Sequence, residues 1–155
     1  MKEIERKFLV DAARLDWIKE FPSKAIKQAY IQNEINRSVR VRTKGDKAFL
    51  TIKSGKNALN RDEFEYEIPV SDALEMFEKM ELKVLSKMRF LVPFGNHTWE
   101  VDVFEGKLKG IVVAEIELSS EDELFEKPDW ILNEVTEDTS YLNANLIKQL
   151  YGCSL

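Results

Sequence analysis

The chain has 155 residues, 44% of them hydrophobic and 33% charged, with a formal net charge of -5. Such a composition fits one globular domain over 1–155 with enough apolar surface for a core; it excludes a disordered chain and speaks against a broad basic footprint for nucleic acid, so any anion site must be local. The lone Cys153 forms no internal disulfide and points to a reducing compartment, the cytoplasm, and no apolar run approaches the roughly 20 residues needed to span a bilayer, so a soluble protein with no membrane partner is expected.

The first element, over 2–10, has the alternation of a strand. At period 2, Glu3, Glu5 and Lys7 share one face, while Ile4, Phe8 and Val10 take the other. A helix is expected over 11–21, then strands over 27–34, 37–44, 47–54 and 62–69, and a helix over 71–80. Strands over 84–92, 97–104 and 111–119 follow, then helices over 120–126 and 138–150. Ser120 followed by Glu123 is a capping box, which gives 120–126 the clearest start signal. Lys44-Gly45-Asp46, the loop from Gly55 to Asn60, and Phe94-Gly95-Asn96-His97 read as turns, so the eight strands form mostly antiparallel hairpins. No repeat, low-complexity tract or linker marks a domain boundary.

The strands share one pattern. Val39 and Val41 oppose Arg40 and Arg42, and Leu50 and Ile52 oppose Lys53. Phe64, Tyr66 and Ile68 oppose Glu63, Glu65 and Glu67, and Met88 and Phe90 oppose Lys87 and Arg89. Val101 and Val103 oppose Glu100 and Asp102, and Ile116 and Leu118 oppose Glu115 and Glu117. A single strand of this kind is ordinary, because antiparallel sheets often leave one face to water. Six or seven together are less so: a solubilising face intersperses signs, whereas here like charges are doubled within strands and demand a counter-charge.

Eight antiparallel strands can close into a barrel that encloses side chains or one small ligand. With the charged parity inward, the apolar parity faces out under the helices, and the buried charges must be paired, hydrated or bound to ions. The carboxylates are Glu3, Glu5, Glu63, Glu65, Glu67, Asp102, Glu115 and Glu117; the cations are Lys7, Arg40, Arg42, Lys53, Lys87 and Arg89. Clustered carboxylates without His or Cys suit Mg²⁺ or Mn²⁺ over zinc. Arg and Lys clusters bind phosphate oxygens. A ligand that needs both sets is a metal-bound oligophosphate, and the chemistry is phosphoryl transfer, with a metal-bound water as nucleophile.

The N-terminal EIERK motif (Glu3, Glu5, Lys7) resembles the signature of the CYTH superfamily, the triphosphate tunnel metalloenzymes. The likeness continues through KQAYI at 27–31, SVRVRTKGDKAFLTIKS at 38–54, NRDEFEYEI at 60–68, KMRF at 87–90, WEVDVFEG at 99–106, VVAEIEL at 112–118 and EVTEDTSYLNANL at 134–146. It implies an α+β fold: a closed eight-stranded antiparallel tunnel with a charged interior, outer helices and a C-terminal plug helix over 138–150. It also implies that Glu3, Glu5, Glu115 and Glu117 bind metal, with Asp102, Glu65 and Glu63 completing the acidic side. Lys7, Arg40, Arg42, Lys53, Lys87 and Arg89 would bind phosphates, and Lys87, Tyr30 and Glu5 would be catalytic. KQAYI is more similar to the motif of small bacterial inorganic triphosphatases than to that of class IV adenylate cyclases. The favoured substrate is therefore inorganic tripolyphosphate, with nucleoside triphosphates slower. The alternatives are a class IV adenylate cyclase, a thiamine triphosphatase, or a non-catalytic polyphosphate or nucleotide-binding module. Oligomeric state is left open, a homodimer included.

Other residues receive plainer readings. His97 has no second imidazole and reads as a solvated turn residue. Trp17, Trp99 and Trp130 read as packing anchors, and Gly45, Gly106 and Gly110 as turn residues. Glu67 lies near a strand end and suits a solvated place as well as a lumenal one. Lys27 and Tyr30 differ in parity, so both cannot face inward on a regular strand.

Overall fold

The computed structural model describes residues 2–34, 36–141 and 146. Its strands are β1 (Lys2–Val10), β2 (Ser23–Glu34), β3 (Arg37–Lys44), β4 (Lys47–Ser54) and β5 (Asn60–Ile68), followed after one helix by β6 (Leu85–Phe94), β7 (His97–Phe104), β8 (Val112–Glu117) and β9 (Ile131–Glu134). The helix α1 (Val70–Lys79) starts behind Pro69. The sheet runs β5-β4-β3-β2-β6-β7-β8-β1-β9, and β1 pairs back onto β5 through Lys2↔Asp62, Glu3↔Arg61 and Ile4↔Asn60. That pairing closes eight antiparallel strands into a barrel. β9 continues the same edge of β1 past the seam, at Phe8 and Val10.

Tight turns hold the hairpins in register. Gly45 and Gly95 both adopt φ +61, where a side chain would be strained, and each sits in a two-residue connection. The register then sets which residues share the interior. Arg40 pairs with Thr51, Arg89 with Asp102, and Lys7 with Glu115.

The apolar parity packs outward. Phe8, Trp99, Val101, Ala114 and Ile116 are buried under Trp17, Phe125 and Trp130. The Trp17 and Trp130 rings lie 5.0 Å apart, and Phe8 meets Trp99 edge-on at 5.5 Å. The tryptophans are thus packing anchors. A second outer cluster joins Val41 and Ala48 of the barrel to Ala73 of α1. Among the described residues the jacket is incomplete: α1 covers part of β3 and β4, while Phe64 and Tyr66 on β5 are 46% and 58% exposed.

Three expected elements differ. The segment 11–21 forms a 3₁₀ turn over Asp16–Glu20 in place of an α-helix, because Asp11 accepts the Ala13 N–H and Pro22 leaves too few residues for stable turns. The helix expected over 120–126 is absent. Glu123 takes the Ser119 N–H as a capping carboxylate would, but it is also bound to His97, and Phe125 is drawn into the Phe8–Trp99 cluster, so the segment stays irregular. β9 was not anticipated, and β2 begins at Ser23, four residues early. Of 138–150, only residues 138–141 and Leu146 are described, so the expected plug helix lies mostly outside the described residues.

Candidate active site

Alternation along β1, β6, β7 and β8 gives the interior two kinds of lining. At one end, Leu85, Phe104, Leu108, Val113 and Leu146 form an apolar cluster with Leu9, Tyr30, Ile111 and Tyr141 packed against it. Leu9, Leu85, Phe104 and Val113 share parity with Lys7, Lys87, Asp102 and Glu115, so this cluster lines the same interior face beyond the charged residues.

The strands β2, β3 and β6 build a basic wall. Arg89 forks onto both oxygens of Asp102 at 2.7 and 2.8 Å, and reaches Glu100 at 3.0 Å. Lys87, fully buried, donates to Asp102 at 2.6 Å and lies 5.5 Å above the Phe104 ring. Burial pushes the Lys87 ammonium down to about 7, helped by Arg89, although Asp102 opposes the shift. Although burial opposes the shift, Arg89 and Lys87 hold the Asp102 carboxyl below its ordinary value. Arg40 and Arg42 approach Glu65 at 3.8 and 3.5 Å, and Thr51 donates to that carboxylate at 2.8 Å. The Tyr30 hydroxyl lies against the Arg40 guanidinium. Burial, with Arg40 and Arg89 beside it, pushes Arg42 down to about 10.

The opposite wall, on β1, β5 and β8, is acidic. Lys53 lies 2.8 Å from Glu3 and 3.5 Å from Glu63, Arg61 reaches Glu5 at 4.0 Å, and Lys7 lies 3.5 Å from Glu115. Those contacts do not neutralise it. The Glu5 carboxyl is pushed up to about 8, by burial first and then by Glu115 and Glu3, against the pull of Lys53. Glu117 is raised as well, by burial and by Glu100, Glu5 and Glu63. Glu115 goes the other way: although burial opposes the shift, Lys7, Arg89, Lys87 and Lys53 hold it well below the usual range.

Among the described residues, no three acidic, His or Cys side chains sit close enough to grip an ion in this geometry. The donor set nevertheless fits a hard divalent cation. Glu3, Glu5, Glu63, Glu100 and Glu117 are hard oxygen donors of neighbouring strands; burial and their mutual repulsion raise the Glu5 and Glu117 carboxyls, and a cation among them would relieve that repulsion.

Every site residue expected from sequence lies on the barrel strands with its charged parity inward, though not all sit equally deep. Glu67 pairs with Lys47 at the exposed rim, which settles its place as solvated. Lys27 is exposed, on the outward parity. His97 is no solvated turn residue: it is half-buried, paired with Glu123 and packed on Phe125. Four interior residues were missed. Arg61 shares parity with Glu63, which could have revealed it; Glu100, already placed on the charged parity beside Asp102, is absent from the expected carboxylate set; Thr51 and Gln28 are neutral and carry no charge signal.

The CYTH domain family matches residues 1–151. An inorganic triphosphatase of Acetivibrio thermocellus is 46% identical over 152 residues, which span 97% of this chain and 96% of that relative. An inorganic triphosphatase of Nitrosomonas europaea is 34% identical over 151 residues, spanning 94% and 97%. The crystal structure of the inorganic triphosphatase NE1496 aligns with a TM-score of 0.63 at 31% identity, over 94% of this chain and 93% of that one.

Proposed function

The chain belongs to the CYTH domain family, and from that premise we propose that it hydrolyses inorganic tripolyphosphate to pyrophosphate and phosphate with Mg²⁺ or Mn²⁺. The observation that carries this reading is the pair of facing walls inside one closed barrel, one crowded with carboxylates and one with guanidinium and ammonium groups. The two triphosphatase relatives, nearly full-length matches, support it.

On this reading Glu3, Glu5, Glu63 and Glu117 hold the cation, joined by Glu115, which Lys7 and Arg89 now contact. When bound, the cation neutralises phosphate charge and acidifies a coordinated water. Arg40, Arg42, Arg89, Lys53 and Lys7 grip the phosphoryl oxygens and fix the chain in line for displacement. Asp102 anchors Arg89 and Lys87, so both are aimed before substrate arrives. Lys87, titrating near neutrality, gives a proton from Nζ to the oxygen of the leaving phosphate as it departs. Tyr30 orients Arg40 and stands at the apolar end of the channel. The interior charges recognise phosphates alone, which leaves a nucleoside base unread and favours the inorganic chain. Cys153, the one cysteine, supports a cytoplasmic setting.

Incubation with tripolyphosphate and Mg²⁺ or Mn²⁺, followed by phosphate assay, tests the proposal. Equal amounts of pyrophosphate and phosphate are expected. Release from no triphosphate, or cyclic AMP with pyrophosphate from ATP, would refute it.

A further inference from the structure

Gln28 stands in the middle of β2, between Arg42 of β3 and Leu85 of β6 in the register. It shares parity with Tyr30, whereas its neighbour Ala29 pairs with Val41 of the outer cluster under α1, so the Gln28 side chain enters the channel. The side chain is fully buried, and neither its amide nitrogen nor its oxygen has a hydrogen-bond partner among the described residues. Arg42 Nε, across the strand pair, and Arg40 Nε, beside Tyr30, are likewise buried without an acceptor. Three donors on one stretch of the basic wall thus share the inward parity and have no acceptor among the described residues. A buried amide without partners is costly to keep.

We propose that Gln28 binds the substrate directly: its Nε2 donates to an oxygen of the phosphoryl group that Arg42 and Arg40 grip, and its Oε1 accepts from a water hydrogen in the same channel. The inference rests on the triphosphatase reading and adds to it a neutral contact. A carboxamide offers two N–H donors and a carbonyl acceptor in a fixed plane, so it reads the placement of a phosphoryl group without adding charge to a wall already rich in cations. Loss of a hydrogen bond to a charged group lowers transition-state binding about ten- to a hundredfold.

The test pairs stability with turnover in Gln28→Met, which keeps the volume and removes the amide. For the variant, the account expects a melting temperature of the ligand-free protein equal to or above wild type, kcat/KM for tripolyphosphate lower by about ten- to a hundredfold, and weaker tripolyphosphate binding by calorimetry. Gln28→Glu, with a carboxylate of the same shape, should raise KM further than Met does. A Met variant that melts below wild type, with activity reduced only in proportion to folded protein, would assign Gln28 a structural role and overturn the proposal. Unchanged kcat/KM and affinity in a stable variant would overturn it too. If wild type itself neither binds nor hydrolyses tripolyphosphate, the triphosphatase reading fails first; if wild type does both and Met matches it, only the role of Gln28 fails.

Discussion

The two walls of the channel differ in how they handle buried charge. On the basic wall each cation has its counter-ion in place: Arg89 and Lys87 share Asp102, and Arg40 and Arg42 share Glu65. On the acidic wall the carboxylates face one another, and Glu5 and Glu117 are pushed toward their neutral forms. The barrel therefore stores its imbalance on one side. The protein alone holds the basic wall ready, while on the proposed reading a cation would complete the acidic one.

The sharpest way to break that contrast is Lys87→Ala. It removes a fully buried ammonium to which the proposed mechanism assigns proton exchange, so turnover should fall by roughly 10²–10⁴-fold, while the affinity for Mn²⁺ measured by calorimetry changes little. Equal loss of both would place Lys87 on the metal side instead. Asp102→Asn attacks the anchor of the basic wall. With Arg89 and Lys87 left buried beside a neutral amide, stability in urea should drop by about 3–5 kcal/mol. Glu117→Gln, on the acidic wall, should leave stability equal or higher, since it removes repulsion.

The pH dependence carries the same asymmetry. Glu5 keeps its proton up to about 8 in the folded protein but loses it near 4.5 when unfolded, so the folded state binds more protons in that window and stability falls as pH rises through it. Lys87 acts oppositely: lowered to about 7, it lets stability recover between pH 7 and its unfolded value of 10.5. Melting curves from pH 5 to 8 should show the decline in wild type and a smaller one in Glu5→Gln. Saturating Mg²⁺ should flatten the wild-type curve. The smallest effect belongs to the outer surface. Glu123→Gln disturbs the contacts to His97 and the Ser119 N–H, and should lower the melting temperature least of these changes.

The strand parity made the barrel legible before any coordinates. Arg40 and Arg42, Glu63 and Glu65, and Lys87 and Arg89 all alternate with apolar residues, and period 2 leaves little freedom about which face they share. Short helices were less legible because their fate depends on distant partners. Phe125 is drawn into the Phe8–Trp99 cluster and Glu123 to His97, and neither contact is written in the local pattern of 120–126. The mutual neutralisation of the basic wall was equally hidden, since nothing in the sequence says that Arg89 of one strand will fork onto Asp102 of the next. Gln28 was passed over because a neutral residue in a charged row looks like a gap in the pattern, although its parity with Tyr30 places it in the channel.

A crystal structure with tripolyphosphate and Mn²⁺ tests the division of labour most directly, because anomalous scattering locates the cation independently of the phosphates. The account predicts Mn²⁺ against Glu3, Glu5 and the β8 carboxylates, with phosphoryl oxygens against Arg40, Arg42 and Arg89. Manganese bound elsewhere, or phosphates resting on the outer surface of the barrel, would contradict it.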